Sequence, residues 1–166
     1  MVYRIVKGGR TYWAQLSGPT TASAEVQWYN LEIIQEEAMA QELSAALNDG
    51  LAANGKVAIY DILFDTGLAV VKPESHDAIK AIADWLAANP TANLYVVGHT
   101  DNTGTLPANL KLSKDRAAAV VTYLTSKLGV PATRLTADGV GPLAPVSTNT
   151  TDAGRALNRR VEVVLR

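Results

Sequence analysis

Two amphipathic helical patterns flank the apolar run Leu94-Tyr95-Val96-Val97, and no other feature restricts the fold of this chain as strongly. A run that is apolar on both faces suits a central sheet strand. Before it, Ile79, Ile82, Ala83 and Leu86 recur at i, i+3, i+4 and i+7; after it, Ala117, Val120, Val121, Leu124 and Leu128 do nearly the same. Each pattern gives a helix one face for a sheet. The first connection is then a right-handed crossover. Further strands are read at residues 57–63, 134–137 and 161–165, so the expected core is a βαβαββ two-layer α/β sandwich (α+β), a mixed sheet with its helices on one face.

Local signals set the element ends. Pro73 suits a first helical turn, Glu74 and Asp77 complement the helix dipole, and Asn89-Pro90 stops the helix read at residues 74–88. Ser113 reads as the N-cap of the second helix, at residues 114–128, with Gly129-Val130-Pro131 as its stop. Residues 139–158, rich in Gly, Pro, Thr and Asn, read as a long irregular piece.

Upstream, residues 3–6 and 11–16 are β-prone runs around Gly8-Gly9, a hairpin signal, and residues 26–34 read as a third strand. Met39, Leu43, Leu47 and Leu51 stripe a helix that stops at Asn54-Gly55. Three short strands have little to bury alone, so they either extend the following sheet or belong to an upstream domain. Residues 1–50 are therefore read as an N-terminal β-hairpin extension with a helix, the tail of an upstream domain, and residues 57–166 as the main domain.

Composition removes several function classes. A formal net charge of −1 argues against a nucleic-acid partner. Without cysteine there is no thiolate nucleophile or ligand, and His76 and His99 have no metal-ligand spacing, so neither a metal nor a cofactor is expected. Nucleophile-elbow, phosphate-loop and dinucleotide motifs are absent. No apolar run reaches 18 residues, and no hydrophobic signal core follows Met1-Val2-Tyr3-Arg4; an exported parent with a leader, and a lipid anchor or partner at the membrane, is the expectation.

The residues that carry chemistry lie around Gly98-His99-Thr100-Asp101-Asn102-Thr103-Gly104, a carboxylate-bearing loop after the central strand. Arg116, read three positions into the next helix, is expected to project toward that loop. An acid and a guanidinium on two elements hold a small zwitterion, the carboxylate being shared with N–H groups of the first helical turn. An Asp101–Arg116 ion pair is the alternative reading, and Asp101 as a turn former another. His99 reads as structural, a ring nitrogen fixing the loop. An acid/base pair of Asp65 and Asp101 has nothing else behind it. Trp13, Trp28 and Trp85 read as packing residues, while Leu112 and Phe64 end elements beside the proposed site, Phe64 reading equally as core.

Phe64-Asp65-Thr66-Gly67, Lys72-Pro73-Glu74-Ser75, the 98–104 loop, Asn109, Leu112-Ser113, Arg116-Ala117 and Gly154-Arg155-Ala156-Leu157-Asn158-Arg159-Arg160-Val161-Glu162 together resemble the OmpA C-terminal-like domain (OmpA/MotB/Pal-type) over residues 57–166. That resemblance implies a non-catalytic periplasmic module, associated with the outer membrane, that binds peptidoglycan through the diaminopimelate of its stem peptide. By matching positions, Asp101 takes the ligand ammonium and Arg116 its carboxylate. Asn109 contacts or shapes the pocket, Phe64 and Asp65 line it, Thr100 and Leu112 flank the ligand, and Arg159 lies near the site or instead braces the loop preceding the last strand. A homo-oligomer is left open. The alternative function is an envelope protein–protein module that uses the Asp101/Arg116 loop for a partner's C-terminus or basic side chain.

Overall fold

The computed structural model describes the backbone of residues 2–7, 10–17, 30–35 and 37–166, and the side chains of residues 43–166. The chain divides into two compact units, Met1–Glu42 and Leu43–Arg166. In the first, β1 (Val2–Lys7), β2 (Arg10–Ser17) and β3 (Asn30–Gln35) form an antiparallel sheet in the order β1-β2-β3. The expected hairpin is present, with Lys7 opposite Arg10. These strands have a sheet of their own rather than extending the second one. The Gly8-Gly9 turn, residues 26–29, Trp28 and the side chains of Trp13 and Met39 lie outside the described residues.

Helix α1 (Glu37–Asn54) crosses the boundary between the units, and Leu47 and Leu51 on its later turns are buried in the core of the second. Gly55, at φ 69°, ends it as the stop signal implied, its N–H donating to the Leu51 carbonyl at 3.1 Å.

The second unit contains β4 (Lys56–Ile59), α2 (His76–Ala88), β5 (Leu94–His99), α3 (Leu106–Ser126), β6 (Leu135–Gly141), α4 (Asp152–Asn158) and β7 (Val161–Leu165). Its sheet runs β4-β7-β5-β6, with β5 and β6 parallel and the other pairs antiparallel. Ile79, Ile82 and Leu86 from α2 and Ala117, Val120 and Leu124 from α3 are buried against Ile59, Leu94, Val96, Val161 and Val163 of one sheet face. Truncating one of these large side chains to alanine costs about 2–5 kcal/mol. The expected mixed-sheet sandwich is borne out.

Several boundaries differ from expectation. The strand read over residues 57–63 stops at Ile59, where the chain turns into the irregular segment that walls the cleft described below. Strand β6 reaches Gly141, carried through a poor β-former sequence by its parallel pairing with β5. The irregular piece at 139–158 contains α4, whose N-cap Thr151 accepts from the Gly154 N–H at 3.1 Å.

The largest correction concerns α3. It starts at Leu106, with Pro107 in its first turn, so Ser113 is a buried residue inside the helix rather than its N-cap. Ser113 Oγ donates to the Leu110 carbonyl at 2.9 Å and accepts from the Gly141 N–H at 2.9 Å. A Cβ at Gly98 would collide with the Ser113 carbonyl, and one at Gly139 with the Lys114 backbone nitrogen. These two glycines let the helix backbone lie directly on β5 and β6.

Candidate functional site

At the C-terminal end of β5 a cleft of about 780 Å³ opens, lined among others by Tyr60, Phe64, Thr100, Asp101, Asn109, Leu112, Arg116, Leu157 and Arg159. Three segments build it. The ladder between β5 and β7 continues past the last strand pair through the His99 N–H, which donates to the Arg160 carbonyl at 3.0 Å. This sets the Asp101 loop beside Arg159. The Thr100 N–H donates to the Gly141 carbonyl at 3.0 Å, and Asn109 Nδ2 donates to the Thr103 carbonyl at 3.0 Å and that of Asp101 at 3.4 Å, closing the loop onto α3.

The wall at residues 60–72 is held separately. Phe64 bridges Val71, the Lys72 N–H donates to the Leu63 carbonyl at 3.1 Å, and buried Ser75 accepts from the Leu63 N–H at 2.7 Å. Arg116 reaches across to this wall, Nε donating to the Leu68 carbonyl at 2.9 Å and Nη2 to that of Asp65 at 3.2 Å, with its guanidinium 5.0 Å from the Phe64 ring centre. Nη1 has no hydrogen-bond partner among the described residues.

Asp101 is not bonded to Arg116. Its Oδ1 accepts from the Thr103 N–H at 2.9 Å and its Oδ2 from Arg159 Nη1 at 2.7 Å. Burial pushes the Asp101 carboxyl up, but the hydrogen bonds from Arg159 and Thr103 outweigh it and hold the group below the usual carboxylate range. For Arg116, burial and then the charge of Arg159 lower the guanidinium's pKa, with Asp101 opposing. The ion-pair alternative for Asp101 and Arg116 is therefore replaced by an Asp101–Arg159 pair.

Most residues singled out from sequence come together here. Asp65 is the exception: its carboxylate pairs with Lys72 Nζ at 3.1 Å and its carbonyl supports Arg116, so it braces the cleft rather than lining it. Arg116 sits in the middle of a 21-residue helix, which removes the expected contribution of first-turn N–H groups beside it. His99 is also corrected. Neither ring nitrogen makes a well-formed hydrogen bond among the described residues; Nε2 lies 3.7 Å from Glu162, and the Ala144 backbone acts on the ring only weakly, in favour of its charged form. Burial, aided by Arg160, lowers the His99 pKa to about 4 against the pull of Glu162, so near neutral pH this contact is not an ion pair.

Sequence reasoning missed the scaffold behind Arg159. Arg160 and Glu162 are both buried, with Nε and Nη2 meeting Oε1 at 2.8 and 2.7 Å, while Arg160 Nη2 also donates to the Ala144 carbonyl at 3.0 Å. Fully buried Asn158 receives the Val146 and Ser147 N–H groups and donates to the Ser147 carbonyl at 2.9 Å. Opposite charges two residues apart on either side of Val161, where extended chain enters β7, share one face and were the available signal.

A four-stranded mixed sheet carrying two helices on one face, with a charged cleft at one end of its central strands, defines a small α/β sandwich domain with one candidate site at that end. The chain belongs to the OmpA family, whose model matches residues 63–159. Outer membrane porin F of Pseudomonas fluorescens is 48% identical over 102 residues, covering 61% of this chain and 31% of that protein. Peptidoglycan-binding protein ArfA of Mycobacterium bovis is 34% identical over 136 residues, covering 82% of this chain and 41% of that one. The chain thus spans less than half the length of these two relatives. Among solved structures, the cell wall anchor of the type VI secretion system of Pseudomonas aeruginosa is 34% identical with a TM-score of 0.58, covering 74% of this chain and 95% of that one. The peptidoglycan-associated lipoprotein of Burkholderia pseudomallei is 31% identical with a TM-score of 0.58, covering 73% and 99%.

Proposed function

We propose that this domain binds peptidoglycan non-covalently in the periplasm and ties an outer-membrane-associated protein to the cell wall, acting as an anchor and not as an enzyme. The finer reading is that the ligand is the free end of diaminopimelate in the stem peptide, with Asp101 receiving its ammonium and Arg116 its carboxylate. One observation carries it: Asp101 and Arg116 line the same cleft, oppositely charged, without being bonded to each other. Arg116 thereby keeps donor capacity toward the cleft, and a ligand carboxylate gains charge-assisted hydrogen bonds. Family membership and the relatives named for peptidoglycan binding and wall anchoring support the same reading.

The test is an NMR titration of the labelled protein with meso-diaminopimelate, with Asp101→Ala as control. Saturable shifts at residues 100–104 and 113–116, lost in the variant, are expected; their absence at millimolar ligand defeats the diaminopimelate assignment. A second reading, docking of a partner protein's C-terminus or basic side chain in this cleft, is favoured by Tyr60, Leu63 and Leu157, which line it while remaining more than two-fifths exposed.

A further inference from the structure

We infer that Arg159 is a specificity-determining residue: by sitting on Asp101 it lets the cleft accept an ammonium group only when a carboxylate arrives with it. This rests on the zwitterion reading above and adds the reason a plain amine is rejected.

The facing groups of the cleft are one carboxylate, Asp101, and two guanidiniums, Arg116 and Arg159, a surplus of one positive charge. Nearby, Asp65 is matched by Lys72 and Arg160 by Glu162, while Lys56 Nζ, 3.1 Å from the same Glu162 carboxylate, adds positive charge rather than offsetting the surplus. A primary amine entering alone raises the surplus and must share Asp101 Oδ2 with Arg159. A zwitterion leaves the net charge unchanged and brings an anion within reach of both guanidiniums. The side-chain ends of lysine and diaminopimelate carry the same ammonium and differ by the carboxylate on the carbon that bears it. Like-charge contact is strongly unfavourable at a partly desolvated site, so Arg159 turns that carboxylate from an added attraction into a requirement.

The neighbouring arginine shows that this is a property of position 159. Arg160 is buried and spent on Glu162 and two carbonyls, whereas the Arg159 side chain is 48% exposed and has Asp101 as its hydrogen-bond acceptor. Arg159 is thus placed to shift toward an incoming carboxylate without disturbing a buried network.

The experiment measures dissociation constants for meso-diaminopimelate and for Nα-acetyl-lysine amide, an amine without a carboxylate, on the native protein, Arg159→Gln and Arg159→Lys. The native protein is expected to bind only the first. In Arg159→Gln the preference narrows by about tenfold or more because the amine gains affinity, while Arg159→Lys, which keeps the charge, retains it. If both ligands weaken together in Arg159→Gln, or if Arg159→Lys loses the preference as fully as Arg159→Gln, the residue is merely structural and the inference fails while the diaminopimelate reading stands. Failure of the native protein to bind meso-diaminopimelate overturns both.

Discussion

The two ends of strand β5 are each organised by arginine, with opposite results. At the Leu94 end, Arg134 donates to the carbonyls of Leu86, Asn89 and Ala92 at 2.6–3.1 Å. Every part of that guanidinium serves to tie the turn after α2 to the start of β6. At the His99 end, Arg116 spends two N–H groups on carbonyls of the opposite wall and directs the rest of its guanidinium into a cleft that also contains Asp101 and Arg159. The same side chain closes one end of the sandwich and leaves the other ready for a ligand. What separates them is unspent hydrogen-bonding capacity, since both grip backbone carbonyls in the same way.

Breaking the buried part of the scaffold should have the largest effect. Arg160→Ala leaves Glu162 buried and short of its main partner, and is expected to lower folding stability by about 3–5 kcal/mol in urea unfolding. Next, Arg134→Ala should cost about 2 kcal/mol of stability, several hydrogen bonds to charge being lost, yet leave diaminopimelate affinity unchanged. An affinity change as large as the stability change would erase the distinction between the two ends. Arg116→Ala is expected to do the reverse, weakening ligand binding by about 2 kcal/mol, roughly thirtyfold, in calorimetric titration with a smaller loss of stability.

The last prediction concerns pH dependence. The folded state holds His99 neutral down to about 4, whereas the unfolded chain takes up the proton near 6.5. Stability is therefore level above about pH 6.5 and falls as pH drops from there toward 4. Asp101 and Glu162, both held low, add slope only within and below the ordinary carboxylate range. Thermal melts of native and His99→Gln protein between pH 4 and 7 test this, the variant being expected to show a flatter profile above pH 5.

Periodicity made the core legible, because Ile79, Ile82, Leu86, Val120 and Leu124 have to share one interior whatever the loops do. Asp101 and Arg116 were legible as residue types flanking a central strand. Where the pairing partner lay was not. Asp101 meets Arg159, 58 positions away, because β7 is inserted between β4 and β5, an order that local signals do not encode. The start of α3 was misread because Pro107 looks like a loop residue, although proline in a first turn gives up only an N–H that has no helical partner. Helix α4 was missed because it spans seven residues, one of them Gly154, too few to show a period.

The seating of α3 on Gly98 and Gly139 has a mechanical consequence. A domain that tethers one structure to another is loaded through the groups that hold its ligand, and in the reading proposed above these are Asp101 just after β5, Arg159 just before β7, and Arg116 on α3. Strands β5 and β7 are the interior pair of the sheet, and α3 is bolted to it through Ser113, so tension enters the most interconnected part of the domain. The edge strand β4 receives that pull only through β7, whereas β6 takes it directly from α3 through the Ser113–Gly141 hydrogen bond. Under strain the joint should give way at the ligand contacts and re-form, leaving the domain folded.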